Sequence, residues 1–184
     1  MRSSAIMVSV LLATALAPSI RGLAEETLFE RLVLASHDKL PQNHISCLAR
    51  LGDERLLAVW GSWAKNGPRD IVASFSADHG RSWSEPVKLN PASHGTDGDP
   101  NILVSGPRVL VAWTRWPSEK GISTTTTWCA LSDDHGKTWN TPYQIPMNRA
   151  YTCGKTHRGL RLCSGTLLLG YSWDTFCEQG KTLA

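Results

Sequence analysis

No stretch of this 184-residue chain is apolar for long enough to cross a membrane as a helix. The longest run, Ala5 to Ala17, covers 13 residues, against the roughly 20 that a bilayer core demands. The five cysteines contain no C-x-x-C pair, so the spacing of a common zinc site is missing, and no metal or other cofactor is expected. There is no basic run either. The net charge of +3 is scattered, which removes the electrostatic footprint of nucleic-acid binding. Helical periodicity is absent after residue 24, which excludes a helical bundle and leaves an all-β chain.

The apolar run belongs to the N-terminus. Arg2 precedes it, Pro18 and Arg21 break it, and Gly22-Leu23-Ala24 follows as a small-x-small cleavage signal. This pattern predicts a signal peptide over 1–24, a mature chain starting near Glu25, export to the periplasm or the exterior, and no stable membrane insertion after cleavage. About 160 residues remain for the folded part, 25–184, enough for one ordinary core. All five cysteines lie there. Export permits disulfides, and Cys153 and Cys163 flank one turn-and-strand segment and could pair. Buried unpaired thiols are the other reading.

An octet repeats. Ser76-Ala77-Asp78-His79-Gly80-Arg81-Ser82-Trp83 returns 56 residues later as Ser132-Asp133-Asp134-His135-Gly136-Lys137-Thr138-Trp139. Both read S-x-D-x-G-x-[ST]-W, and a fixed period is the mark of a repeat architecture. Each octet is a strand-connecting turn with its own staples. Asp and Ser/Thr oxygens can accept turn amides, Gly80 and Gly136 supply a positive φ, and Trp83 and Trp139 bury a large ring. Ser76, Asp78, Gly80, Trp83, Ser132, Asp134, Gly136 and Trp139 are therefore assigned to structure, not to catalysis.

Strand signals recur in step with the octets. Arg55 to Trp60, Arg108 to Trp113 and Thr166 to Tyr171 are three versions of one apolar segment. Each follows a Gly-containing turn and another apolar stretch, which predicts three hairpins. Runs without polar alternation suit strands buried on both faces. Ile71 to Ser76 and Thr124 to Ser132 supply third strands, with Val87 to Leu89 and Tyr143 to Ile145 as short outer ones.

The octet resembles the Asp-box, or BNR repeat, of the sialidase superfamily. The resemblance implies a β-propeller of four-stranded blades, six when complete, with the box between the third and fourth strands of each blade. At the observed period this chain holds about two and a half blades, with boxes at 76–83 and 132–139. An open stack exposes strand edges, so a fragment of a longer protein is expected.

Up-and-down blades send alternate connections to opposite faces. The Gly52, Gly106 and Gly165 turns share one face with the octets. The other face receives Pro41–His44, Ser62–Asp70, His94–Asn101, Thr114–Ser123, Asn148–Arg158 and Trp173–Glu178, which hold most of the reactive side chains. Acidic groups, arginines and tryptophans on one face suit a carbohydrate: rings stack on sugars, arginine forks grip carboxylates and carboxyls move protons. Trp63, Arg69, Asp97, Arg115, Trp116, Tyr151, His157 and Arg158 are the candidate substrate-binding residues, and His44, Asp70 and Asp99 the candidate catalytic ones. Asp97-Gly98-Asp99-Pro100 reads as a turn.

The sialidase pattern matches this face poorly. Where sialidases place an arginine at the start of the first blade, the segment Asn43 to Leu48 puts His44. Where they place an acid/base aspartate, Ala64 stands, with Asp70 the nearest carboxylate. The family's tyrosine nucleophile and its other arginines come from later blades. Gly98-Asp99-Pro100-Asn101 is similar to the start of the second blade in broader BNR proteins, which include hydrolases and lyases of acidic sugars. The resemblance thus implies an exported glycoside hydrolase-type protein or a truncated piece of one. A non-catalytic glycan- or protein-binding propeller, or a lyase acting on acidic sugars, is the alternative. The chain alone is expected to lack sialidase activity.

Overall fold

The computed structural model describes residues 8–10, 30–32, 42–63, 68–90, 95–117, 125–146, 152–153, 159–170 and 172–173. A short ribbon pairs β1 (Val8–Val10) with β2 (Glu30–Leu32). Two four-stranded antiparallel sheets follow. The first runs in the order β3 (Gln42–Arg50), β4 (Leu56–Trp63), β5 (Asp70–Ser76) and β6 (Val87–Lys88). The second repeats it with β7 (Gly95–Ser105), β8 (Arg108–Pro117), β9 (Thr126–Ser132) and β10 (Tyr143–Ile145). A third hairpin begins the same pattern. Its outer pair joins β11 (Thr152–Cys153) to β14 (Ser172–Trp173), and its inner pair joins β12 (Leu160–Arg161) to β13 (Leu167–Leu168). Among the described residues no helix is long and apolar enough to cross a membrane.

Two of the three uninterrupted apolar runs, Arg55 to Trp60 and Arg108 to Trp113, become strands buried on both faces. In the third, Leu167 and Leu168 are exposed because no further sheet covers them among the described residues. Leu57 and Val59 of β4 join Ile71, Ala73, Ile102, Val109, Val111 and Trp113 in a core between the sheets. The alternate residues Ala58 and Trp60 pack with Val72, Leu48 and Trp83 on the other side. Side chains point to opposite faces with period two, so an all-apolar strand needs a partner on each face.

The strands outrun the apolar runs that predicted them. Asn43 pairs with Ser62, and Asp97 and Thr96 pair with Arg115 and Trp116. Residues expected in loops, among them His44, Trp63, Asp70, Asp97, Asp99, Arg115 and Trp116, therefore sit on strand ends. Backbone ladder bonds are indifferent to side-chain polarity, so polarity alone misplaces such ends. The Asp97–Pro100 segment is not a free turn but part of β7, with a register shift between Gly98 and Asn101. Asp99 there takes a φ of 53°, and the irregularity accommodates Pro100, which has no amide to give to a ladder.

The octets are stapled turns. In the first, the Ser76 hydroxyl accepts the Gly80 amide at 2.8 Å and donates to Asp78 Oδ1 at 2.9 Å. Asp78 accepts the Ser82 amide at 2.8 Å and its hydroxyl at 2.6 Å, and Trp83 Nε1 donates to the Gly80 carbonyl. The second repeats the serine and aspartate bonds through Ser132, Asp134 and Thr138, whereas its Trp139 Nε1 is buried without a partner. The histidines share the left-handed turn with the glycines: φ is 59° at His79 and 61° at His135, against 90° at Gly80 and 81° at Gly136.

The second octet also joins the two sheets. Arg55 Nη2 donates to the His135 carbonyl at 2.7 Å, and the His135 amide donates to the Pro107 carbonyl at 2.8 Å. Gly136 lies against the Phe75 ring. Cys163 carries no disulfide, so the Cys153–Cys163 pairing considered from sequence is not made.

These staples carry a pH dependence. Bonds from the Ser82 hydroxyl and amide, and then from Ser76, bring Asp78 down to about 2 from the usual 3.8. The equivalent bonds from Thr138 and Ser132 depress Asp134. On acidification the unfolded chain takes up these protons before the folded one does, so the contribution present above pH ~4 is lost as pH falls toward 2. The urea midpoint is expected to drop over that range. The drop should be shallower in an Asp78→Asn/Asp134→Asn variant, and equal slopes would remove the octets as its cause.

Candidate functional site

One end of the two sheets gathers a tryptophan, an arginine and a bulged strand. Trp63 closes β4 and Arg69 immediately precedes β5, so both project from the β4–β5 connection. The Arg69 guanidinium carbon stands 4.1 Å from the Trp63 ring centroid, a cation–π distance. The exposed His44 ring meets Trp63 edge-on at 6.3 Å.

Two glycines make room for the arginine. A Cβ on Gly61 would lie 3.3 Å from Arg69 Cδ, and one on Gly98 would lie 3.2 Å from both Arg69 Nη1 and Trp116 Cζ3. The missing Gly98 side chain is thus where the arginine and the second tryptophan approach each other. The Asp97 amide donates to the Arg69 carbonyl at 3.1 Å and ties the two sheets together there. Burial lowers the Arg69 pKa from its ordinary value, while the charge of Asp99 opposes that shift.

Behind this cluster lies a closed polar network. Asp97 is fully buried. Its Oδ1 accepts Arg115 Nε at 2.7 Å, and its Oδ2 accepts Arg115 Nη2 at 2.7 Å and Asn90 Nδ2 at 2.5 Å. Asn90 Oδ1 in turn accepts the Ile71 amide at 2.8 Å. The Arg115 guanidinium also covers the Trp128 ring at 4.0 Å. A buried carboxylate needs such partners, and here both of its oxygens face protein.

Of the residues singled out from sequence, His44, Trp63, Arg69, Asp99 and Trp116 come together at this end. Asp97 and Arg115 are paired with each other beneath it. Asp70 is drawn to the outer strand, where Lys88 Nζ approaches to 2.6 Å, so the titratable groups of the cluster are His44 and Asp99. Tyr151, His157 and Arg158 lie outside the described residues, as do Ala64 and the leader cleavage site. Among the described residues no group of three His, Cys, Asp or Glu could hold a metal.

Sequence reasoning missed Gly61, Gly98, Asn90 and Trp128. Only Gly98 carried a signal, as a glycine flanked by two aspartates, and it was read as turn chemistry. Chemically the cluster offers a cationic fork, two flat aromatic faces, an imidazole and a carboxyl group, a set suited to a ring-shaped polar ligand.

Among curated proteins no sequence relative matches. The solved structures that the protein resembles include the Hadza microbial sialidase Hz136, at 19% identity and a TM-score of 0.60 over 71% of this chain and 32% of that one. Trypanosoma rangeli sialidase in complex with the inhibitor DANA matches at 13% identity and a TM-score of 0.53, over 77% and 27%. Penicillium chrysogenum α-L-arabinanase complexed with arabinobiose matches at 13% identity and a TM-score of 0.55, over 79% and 46%. At these identities the likeness concerns the fold, a sialidase-type propeller fold built of antiparallel sheets. The chain spans about a third of the length of the sialidases and under half that of the arabinanase. The model of the BNR repeat-like domain matches residues 54–181, which include both octets and the Gly106 and Gly165 hairpin turns, and the chain therefore belongs to the BNR repeat-like family.

Proposed function

We propose that this chain is the N-terminal part of an exported, glycoside hydrolase-type β-propeller, six-bladed when complete, that binds a carbohydrate at the Trp63–Arg69–Trp116 end. The observation that carries this reading is the convergence of two tryptophans, an arginine, His44 and Asp99 on one end of the paired sheets. Structural neighbours that process sialosides and arabinans support a sugar as the ligand class. The leader pattern of residues 1–24 supports export.

Binding without turnover is the second reading, favoured by a specific observation. Ala64 stands where sialidases have their acid, and Asp70, the nearest carboxylate in sequence, is bonded to Lys88. General acid catalysis contributes roughly 10²–10⁴ in rate, so its loss alone takes most of the activity away. We expect the purified chain to bind monosaccharides saturably in ligand-observed NMR, with Trp63→Ala and Trp116→Ala each weakening binding at least about tenfold, as loss of a stacking face implies. A fluorogenic sialoside should stay at the buffer rate. Absence of any sugar binding would overturn the site, and sialoside turnover abolished by His44→Ala would overturn the second reading.

A further inference from the structure

The two spaces beside the second sheet are lined by equivalent rows of different chemistry. In the first sheet Cys47, Val59 and Ala73 lie opposite one another across β3, β4 and β5. Val59 and Ala73 belong to the core against the second sheet, with Cys47 packed on it. The equivalent row of the second sheet precedes Trp113 as the first precedes Trp60. It reads Asn101, Ala112 and Cys129 across β7, β8 and β9. Opposed residues share a face, and this face looks away from the first sheet. Leu103, the next residue of β7 on it, lies against Gly159, and β11 packs on β8 and β9. Asn101 therefore points into the space between the second sheet and the start of the third hairpin. There it is 1% exposed, and neither its Oδ1 nor its Nδ2 has a hydrogen-bond partner in the protein. The Cys129 thiol is engaged by the Tyr143 hydroxyl, and Ala112 offers only a methyl group.

We propose that Asn101 holds a resident water molecule in this second space, a binding site that the first space lacks. A buried amide with neither its donor nor its acceptor satisfied is costly. One water can accept from Nδ2 and donate to Oδ1 at once. Val59 is larger than Ala112 by two carbons, and that difference leaves room beside the amide. The next row repeats the change, from Gly61 and Ile71 in the first sheet to Thr114 and Thr127 in the second. Both threonines are buried, so hydroxyls border the row of the amide, and a buried water sits where several polar groups converge. No charged side chain stands in either row of the second sheet, so a small neutral molecule fits there and an ion does not. The first space is sealed by apolar atoms alone. The second is sealed by apolar atoms around one ordered water.

Water-directed NMR on the ¹⁵N-labelled full chain tests the site. A water held there gives cross-peaks between the solvent line and the Asn101 Nδ2 protons, of opposite sign in the laboratory and rotating frames. Cross-peaks of one sign in both frames report proton exchange and overturn the proposal, as does the absence of any cross-peak. Ala112→Val restores the side chain of the first row. It should abolish the signal and lower the urea midpoint, because the amide is then left without a partner. Asn101→Cys/Ala112→Val copies the apolar pair of the first sheet and should recover most of that loss. A signal that survives Ala112→Val places the water elsewhere and sinks the assignment to Asn101. So does an Ala112→Val chain that unfolds at or above the parent's midpoint. Should Ala112→Val lose its dispersed amide spectrum, the parent's cross-peaks alone decide.

Discussion

Asp97→Ala should destabilise the folded chain by about 3–5 kcal/mol, the range for breaking a buried ion pair by removing one partner. Asp97 is fully buried and the Arg115 side chain only 17% exposed. Removing the carboxylate leaves Arg115 Nε and Nη2 and Asn90 Nδ2 without their acceptor at once. Asn90 also holds the Ile71 amide, so the disturbance reaches β5. Urea unfolding monitored by tryptophan fluorescence gives the size of the effect. The double variant Asp97→Ala/Arg115→Met should recover a substantial part of the loss, because the stranded charge then disappears with its partner. If the single variant unfolded at the parent's urea midpoint, the buried network would have no structural role, and Asp97 would return as a ligand-facing group.

Gly136→Ala should cost about 2–5 kcal/mol, and Gly80→Ala only about 1–2, although both occupy the same position of equivalent octets. At φ values of 81° and 90° each substitution carries left-handed strain of about 1–2 kcal/mol. The surroundings make the difference. A Cβ at Gly80 meets nothing closer than 3.6 Å, whereas one at Gly136 falls 2.9 Å from a Phe75 ring carbon, and overpacking of that kind costs roughly 1–3 kcal/mol more. Phe75 belongs to β5 of the first sheet, so Gly136 is a joint between the sheets as well as a turn. Equal unfolding midpoints for the two variants would show that the second octet does not bear on Phe75.

The sequence was most legible where the cause is local. The Asp78 and Ser82 oxygens, the glycine after His79 and the tryptophan that follows are enough to specify a stapled turn, because every bond in it spans four residues or fewer. The Arg55–Trp60 and Arg108–Trp113 runs likewise announced central strands, since side chains alternating between two buried faces must all be apolar. By contrast, strand ends could not be read from polarity. Asp97 and Arg115 looked like loop residues ready for a ligand, and only their register as cross-strand neighbours showed that they satisfy each other.

By itself, then, the sequence determined the all-β class, the repeat, its turns and the order of its hairpins, all of which follow from patterns within a few tens of residues. Which arginine is committed and which stands unpaired was decided by tertiary structure alone. That distinction depends on Gly98 of the second sheet lying against Arg69 of the first, and on Asn90, seven residues before Asp97, completing its shell. Contacts between separate sheets, made possible by side chains that are not there, leave no periodic or compositional trace in the chain.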